Sequence, residues 1–322
     1  MKRVLSLFLV IAIVTTMSVS VFATDHDKSL SSIAESTIQI TQTNQESGAV
    51  ILTYCNLKDF VRNVHEELPD VVDYDIAKFI LNYTGQCSDG MPESEVILML
   101  DYDNISTSTQ YIKVTEEGSA VEISPEEFLI APVDVWISND GYMQLTTNVS
   151  HVSTSGSNKY FSVWTTAKWL KYPAIAIEDV LVLGTNGTFD SNCSEYGYVY
   201  QTFRCTSGCT DRTYRNRYVS KTNTVYEDLE MEYKGYTPYL RFVPIAPRCD
   251  YCDGGSRDYS FTAFIRYGVI TSSTCNVEAA YCHQTIGITG VDVSIDSMGS
   301  PSFSFGLGCV GTDYIARAVT LS

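Results

Sequence analysis

The chain has 322 residues, of which 44% are hydrophobic and 18% are charged, and its formal net charge is −17. This apolar fraction excludes a wholly disordered or fibrous chain, and the length allows one large domain or two smaller ones. The acidic balance argues against a nucleic-acid-binding protein, because phosphate groups are bound by clustered Lys and Arg.

The chain opens with the pattern of a secretory signal peptide. Lys2 and Arg3 form a positive region, an apolar run follows over 4–14, and Val21-Phe22-Ala23 resembles a signal-peptidase site. The apolar run is shorter than the roughly 20 residues that span a bilayer. We therefore predict a signal peptide of bacterial style over 1–23 and a secreted, extracellular mature chain without a membrane span.

Two helices are predicted near the N-terminus. After a polar leader over 24–50, apolar residues recur at helical spacing from Asn56, and again after an Asp cap at Asp73 or Asp75. Gly85 can end the second helix. Residues 51–92 are therefore predicted to form a helical hairpin.

Beyond residue 93 the pattern is that of strands. The run Val96–Leu100 reads as a buried strand, and Tyr142–Val149 follows the hairpin-type turn Asn139-Asp140-Gly141. Further alternating segments are 110–115, 161–169, 179–184, 196–204, 214–222, 239–243, 259–267, 287–295 and 315–321. Short strands separated by Gly, Asn, Asp and Ser turns predict an antiparallel β-sandwich over 93–322. The predicted fold is thus mainly β, an antiparallel β-sandwich with a small helical N-terminal portion.

The cysteines predict a disulfide framework of up to five bridges, because their number is even and the chain is exported. They are Cys55, Cys87, Cys193, Cys205, Cys209, Cys249, Cys252, Cys275, Cys282 and Cys309. Plausible pairings are Cys55–Cys87, Cys275–Cys282 across a short loop, a double bridge between Cys205/Cys209 and Cys249/Cys252, and Cys193–Cys309. Connectivity stays open at this point.

A structural zinc is the rival interpretation of four of these cysteines. Cys205, Cys209, Cys249 and Cys252 could supply four thiolates in turn-like sequence. Disulfides are the preferred interpretation, because an exported chain meets oxidising conditions. The prediction is therefore no metal and no cofactor.

Two common catalytic motifs are absent from the sequence. The sequence holds neither a G-x-S-x-G motif nor an H-E-x-x-H motif. Paired carboxylates for glycoside hydrolysis are assembled in space and cannot be found by spacing. The sequence therefore predicts no catalytic residue, and whether the protein is an enzyme stays open, with a non-enzymatic role preferred.

The candidate binding residues lie in a tyrosine-rich region. Tyr196, Tyr198 and Tyr200 alternate on one face of a predicted strand, and Arg215 and Arg217 belong to a basic cluster on the next one. If exposed, such rings suit stacking on sugars or on a protein partner. The structural interpretation is that Tyr favours strands and packs across them.

Short segments carry a resemblance to known sequences. The segments that carry the resemblance are the stretch from Tyr142 through Thr146-Thr147, Ala167-Lys168-Trp169-Leu170-Lys171 and Tyr281-Cys282-His283. In them the chain resembles exported, functionally uncharacterised Firmicutes proteins with a β-rich body. The resemblance covers roughly residues 140–300. It implies an exported, β-rich protein and supplies no catalytic residue.

The prediction that follows is a secreted, disulfide-stabilised, non-enzymatic binding or structural protein. Its expected partner is a glycan or a cell-surface protein, met through the tyrosine face. The alternative is a secreted hydrolase that acts on cell-wall or dietary glycan.

Overall fold

The computed structural model describes a large part of the chain. The described residues are 25–44, 50–86, 88, 91–115, 120–131, 140–171, 179–193, 195–205, 213–220, 225–226, 229–234, 237–242, 256–283, 291–295, 301–305, 313–315 and 319–321. The predicted signal peptide lies outside them. In the part described, no helix is both long enough and apolar enough to cross a membrane.

Five α-helices and nineteen strands make up the described secondary structure. The helices are α1 (Asp25–Thr37), α2 (Leu57–Glu67), α3 (Asp73–Tyr83), α4 (Glu93–Ile97), which continues as a 3₁₀ turn (Leu98–Asp101), and α5 (Pro125–Leu129). The strands are β1 (Gln39–Asn44), β2 (Val50–Cys55), β3 (Asn104–Val114), β4 (Ala120–Ile123), β5 (Gly141–Ser155), β6 (Asn158–Lys171), β7 (Asp179–Thr185), β8 (Thr188–Phe189), β9 (Tyr196–Cys205), β10 (Thr213–Ser220), β11 (Val225–Tyr226), β12 (Leu229–Lys234), β13 (Thr237–Phe242), β14 (Ser256–Thr271), β15 (Cys275–His283), β16 (Val291–Ile295), β17 (Pro301–Phe305), β18 (Asp313–Ile315) and β19 (Val319–Leu321).

The strands form two main sheets with antiparallel pairing, as predicted. The large sheet has the order β1-β2-β3-β5-β6-β14-β9-β10, with β4 beside β3 and β8 beside β14. The small sheet has the order β11-β12-β13-β7-β15-β18, with β19 beside β15. Strands β16 and β17 pair with each other. The predicted fold class, mainly antiparallel β with a few helices, is confirmed.

The alternation of β6 places its residues in two different cores. Val163, Ala167 and Trp169 pack with Leu181 and Leu183 of the small sheet, in the core between the sheets. Trp164 points the other way and packs with the helices. Because successive strand residues point to opposite faces, a strand apolar on both faces needs a layer on each side.

Helices α1 to α4 supply that second layer. Their apolar faces, including Phe60 and Val64 of α2 and Ile76 and Ile80 of α3, pack with Trp164 of the large sheet. Both predicted helices therefore form. The structure is layered as helices, large sheet and small sheet, so the helices share a core with the sheet.

The N-terminal segment is more ordered than the prediction of a polar leader implies. Residues 25–37 form α1, and 39–44 form the edge strand β1 next to β2. The domain boundaries near residues 50 and 92 remain predictions, since β2 belongs to the same large sheet as the predicted sandwich strands.

The strand predicted over Val96–Leu100 is wrong, because this run lies in α4 and the 3₁₀ turn that follows. A short apolar run does not distinguish a buried strand from a buried helical turn. The preceding residues carry the helix signal: Pro92 is the N-cap, and Glu93 and Glu95 lie in the first turn.

The geometry contradicts one of the predicted bridges. Cys275 and Cys282 both lie on β15 rather than across a loop. Seven residues of extended strand place their Cα atoms about 23 Å apart, far beyond disulfide range, so this pairing is wrong. Cys275 is a buried free thiol and Cys55 is a half-buried free thiol.

The remaining bridge predictions cannot be compared with the structure. Cys87, Cys209, Cys249, Cys252 and Cys309 lie outside the described residues, and only the backbone of Cys205 is described.

Candidate functional site

The three predicted tyrosines lie on β9, between β14 and β10 in the large sheet. Gly197 alternates with them and faces the small sheet, where a Cβ built on it would lie 2.6 Å from Cδ2 of Leu240. This close approach leaves no room for a side chain and determines which face of β9 points inward. Tyr196, Tyr198 and Tyr200 consequently occupy the opposite face, on the helical side.

The middle tyrosine is part of the core. Tyr198 is 0% exposed, and its ring stacks on that of Phe264 with the ring centroids 5.0 Å apart. Phe264 is directly opposite Tyr198 on β14. An exposed face of three rings, the condition for the predicted binding role, is therefore not met at Tyr198.

The outer two tyrosines, unlike Tyr198, are partly accessible to solvent. Tyr196 and Tyr200 are half-buried, and both pack against the core between helices and sheet. The Tyr196 ring lies 6.0 Å from that of Tyr198 and 6.3 Å from that of Phe264. Each outer ring thus has one part in contact with a buried aromatic cluster and another part accessible to solvent.

The two predicted arginines lie at known positions along β10. Arg215 pairs with Gln201 and Arg217 pairs with Val199, so neither is opposite a tyrosine. Their side chains lie outside the described residues. They pair with residues that alternate with the tyrosines, so the register does not place them beside Tyr196 and Tyr200, and their part in a binding surface is a prediction that the structure does not support.

A different arginine provides positive charge beside the tyrosines. Arg266 of β14 is opposite Tyr196 and is 5% exposed. Its Nη2 atom lies 3.0 Å from Oε2 of Glu95 on α4, and its Nη1 atom lies 3.5 Å from the hydroxyl of Tyr102. Buried charges need such partners, because desolvation of an isolated charge is costly.

Tyr102 extends this network to the neighbouring strand. Its hydroxyl donates to Oγ of Ser162 at 2.9 Å, and its ring stacks on Trp164 with the centroids 5.4 Å apart. The sequence analysis missed Arg266, Glu95 and Tyr102. A single Arg within the apolar run of β14 is the sequence signal that could have indicated a buried ion pair.

Burial dominates the electrostatics of this network. It raises the pKa of Glu95, although Arg266 acts in the opposite direction. It also raises the pKa of the Cys193 thiol, again against Arg266. A thiol with a raised pKa is mostly protonated at neutral pH and is a poor nucleophile. The site is therefore suited to rigid packing and contact rather than to thiol chemistry.

No group of three or more His, Cys, Asp or Glu in the described part of the chain could hold a metal ion. The four cysteines of the zinc alternative are not covered by this statement, because their side chains lie outside the described residues.

Comparisons with known proteins give little guidance. No protein-family model matches the chain, and no curated protein matches it.

Some solved structures share weak similarity with the chain. The C-terminal domain of the antigen I/II-family protein AspA of Streptococcus pyogenes has 10% identity and a TM-score of 0.25; the match covers 56% of this chain and 53% of that domain, so this chain spans about half of its length. The C-terminal domain of the AgI/II polypeptide BspA of Streptococcus agalactiae has 8% identity and a TM-score of 0.27, with 67% and 91% covered. The pilus backbone RrgB of Streptococcus pneumoniae has 11% identity and a TM-score of 0.23, with 66% and 75% covered.

These matches are to streptococcal, hence Firmicutes, proteins. With TM-scores below 0.5 they carry no argument about function, and they assign no family. The proposal below therefore rests on this chain's own residues.

Proposed function

We propose that the protein is a secreted, non-enzymatic binding or structural protein, and that Tyr196 and Tyr200 contact its partner. The observation that carries the proposal is their arrangement: two half-buried rings flank the fully buried Tyr198 on one strand. Rings held by a packed cluster lose little conformational freedom on binding, which favours affinity.

The chemistry of this surface suits a glycan or a protein. A tyrosine ring offers an apolar face for stacking. Tyr196 can contribute only part of its ring, because its hydroxyl oxygen is buried. The net charge of −17 disfavours polyanions and favours a neutral or basic partner. The proposed partner is therefore a neutral glycan or a protein at a cell surface.

The second part of the proposal is that disulfides stabilise the scaffold. Predicted export supports it, because exported chains meet oxidising conditions. The two bridges proposed are those between Cys205/Cys209 and Cys249/Cys252. Cys275–Cys282 is not among them.

The binding proposal is tested by replacing both rings. We expect the double variant Tyr196→Ala/Tyr200→Ala to bind a glycan array or whole bacterial and host cells at least about fivefold more weakly, because each lost ring contact is worth ~0.5–1.5 kcal/mol. Tyr196→Phe/Tyr200→Phe keeps the stacking faces and should retain most binding to a stacked sugar.

Tyr160→Ala is the matched control, since Tyr160 is half-buried on β6 of the same sheet and pairs with Ile270, away from β9. Circular dichroism and melting temperature establish that each variant is folded. Unchanged binding by a folded double Ala variant would show that this surface is not the binding site.

A further inference from the structure

The layer between the large sheet and the helices is unusually rich in hydroxyl groups. Positions on the helical face of β3, β5 and β6 carry Thr107, Thr109, Thr146, Asn148, Ser150, Ser162 and Thr166. Most of them are buried. A buried polar group is stable only when it has a hydrogen-bond partner, so each of these side chains raises the question of its partner.

Several of these groups are satisfied by named neighbours. The Gln144 amide donates to Oγ1 of Thr146 at 3.1 Å and to the carbonyl oxygen of Gly85 at 3.1 Å. Thr109 and Thr146 share a hydrogen bond of 3.2 Å. Ser150 donates to the carbonyl oxygen of Asn104 at 2.6 Å.

Polar side chains from the helical side also hydrogen-bond in this layer. Gln86, just after α3, accepts a hydrogen bond of 2.7 Å from the indole of Trp164 and donates to Oγ1 of Thr84 at 2.7 Å. Trp164 is directly opposite Asn148. Residues opposite each other on paired strands share a face, so Asn148 lies on the helical side with the Trp164 indole.

Two neighbouring side chains depart from this pattern. Thr107 and Asn148 are opposite each other on β3 and β5 and are 4% and 0% exposed. Oγ1 of Thr107 and both Oδ1 and Nδ2 of Asn148 have no hydrogen-bond partner among the described residues. Three buried polar atoms without a described partner thus lie on two directly paired residues of this layer.

We propose that Thr107 and Asn148 form an internal binding site for water. A carboxamide offers two donors and an acceptor, and a hydroxyl offers one donor and two acceptor lone pairs. Water can both donate to and accept from this set, whereas an ion would place an uncompensated charge in the interior. Because both side chains are enclosed, the bound molecule is small and exchanges slowly.

The bound water would explain why the centre of β5 carries Asn rather than an apolar residue. With water present, the amide completes the hydrogen-bonded layer that joins the sheet to the helices. In a dry site the same amide would only destabilise the fold, since replacing an unsatisfied polar group with an apolar one of similar size is neutral or favourable.

The two cases are separated by Asn148→Leu, which replaces the amide with an apolar group of the same branching, and the number of long-lived waters is the deciding measurement. If water is bound, we expect the melting temperature of Asn148→Leu to fall. We also expect ¹⁷O magnetic relaxation dispersion to show at least one long-lived water fewer than in the wild-type protein. A raised melting temperature, or an unchanged number of long-lived waters in folded Asn148→Leu protein, would overturn the proposal.

Thr107 gives a milder pair of variants in case Asn148→Leu does not fold. Thr107→Val removes only the hydroxyl and should lower the melting temperature and shorten the residence time of the water. Thr107→Ser keeps the hydroxyl and should preserve the long-lived water. Equal water relaxation in wild-type, Thr107→Val and Thr107→Ser proteins would contradict the site.

Discussion

At the scale of single residues, buried polar contacts hold the two sheets in register. The indole of Trp169 on β6 donates to the hydroxyl of Tyr281 on β15 at 2.9 Å, and that hydroxyl donates to Oδ2 of Asp179 on β7. All three residues are 0% exposed. The chain of hydrogen bonds crosses from the large sheet to the small one, so it specifies which residues of the two sheets meet.

Removing the Tyr281 hydroxyl tests how much these linked hydrogen bonds contribute to the free energy of unfolding. We expect Tyr281→Phe to lower the free energy of unfolding by about 1–3 kcal/mol, because the Trp169 indole and the Asp179 carboxylate each lose a buried partner. Urea denaturation at pH 7 measures the change. Tyr160→Phe, at a half-buried position on β6, is the control and should change stability by less than about 0.5 kcal/mol. Equal effects of the two variants would refute the argument.

At the scale of elements, the helical layer joins the large sheet through both apolar and ionic contacts. Trp164, Tyr198 and Phe264 supply the apolar contact with the helices. The ion pair between Glu95 of α4 and Arg266 of β14 adds a charged contact within that layer. Burial of this pair makes its energy sensitive to the protonation of Glu95.

The pH dependence of stability should therefore change in Glu95→Gln. Because burial raises the folded-state pKa of Glu95 above its ordinary value of 4.5, the folded protein binds this proton more readily than the unfolded chain. The contribution of Glu95 is thus fully present below pH 4.5 and is lost as pH rises through the raised pKa. Relative to Glu95→Gln, the wild-type protein should lose stability between pH 4 and pH 7 in urea titrations. Parallel pH profiles of the two proteins would count against this assignment.

At the scale of the whole molecule, two cores share the large sheet. Cys275 lies in the core between the sheets, and Cys55 is the last residue of β2. Desolvation raises the pKa of Cys275 to about 11, although its contact with Thr185 acts in the opposite direction. A buried thiol with this pKa is protected from alkylation.

A non-reduced peptide map tests this arrangement together with the proposed bridges. We expect Cys275 to resist iodoacetamide in the folded protein and to be alkylated after unfolding without reductant. We expect the peptides of Cys205, Cys209, Cys249 and Cys252 to be linked. Finding Cys275 in a linked peptide would contradict its assignment as a free thiol. Finding the other four cysteines alkylated in unreduced protein would contradict the proposal that disulfides stabilise the scaffold.

Local patterns predicted much of the fold. The helices at Leu57–Glu67 and Asp73–Tyr83 form where apolar residues recur at helical spacing. The alternating segment predicted over 161–169 lies within β6, where Val163, Ala167 and Trp169 share the face toward the small sheet. The helix α4 was missed because short apolar runs occur in helices and strands alike. Strand β15 was missed because its two cysteines suggested a loop closed by a disulfide.

The candidate site was only partly predictable. The tyrosine alternation on β9 follows from the sequence, but the burial of Tyr198 depends on Phe264, a residue 66 positions later that the sheet places opposite it. The partners Glu95 and Arg266 are separated by an even longer stretch of chain. Contacts between such distant residues depend on strand order and on the helical layer, which periodicity does not encode.

The sequence by itself determined most of the helical and extended segments and the apolar face of several strands, because these properties depend largely on neighbours within a few residues. Only the tertiary structure decided which of those faces meets another layer. In the folded protein Tyr198 is buried, Arg266 is paired with Glu95, and Thr107 and Asn148 are both buried. Burial is a property of the assembled layers, so exposure, pairing and pKa could be known only once the sheets and helices had packed.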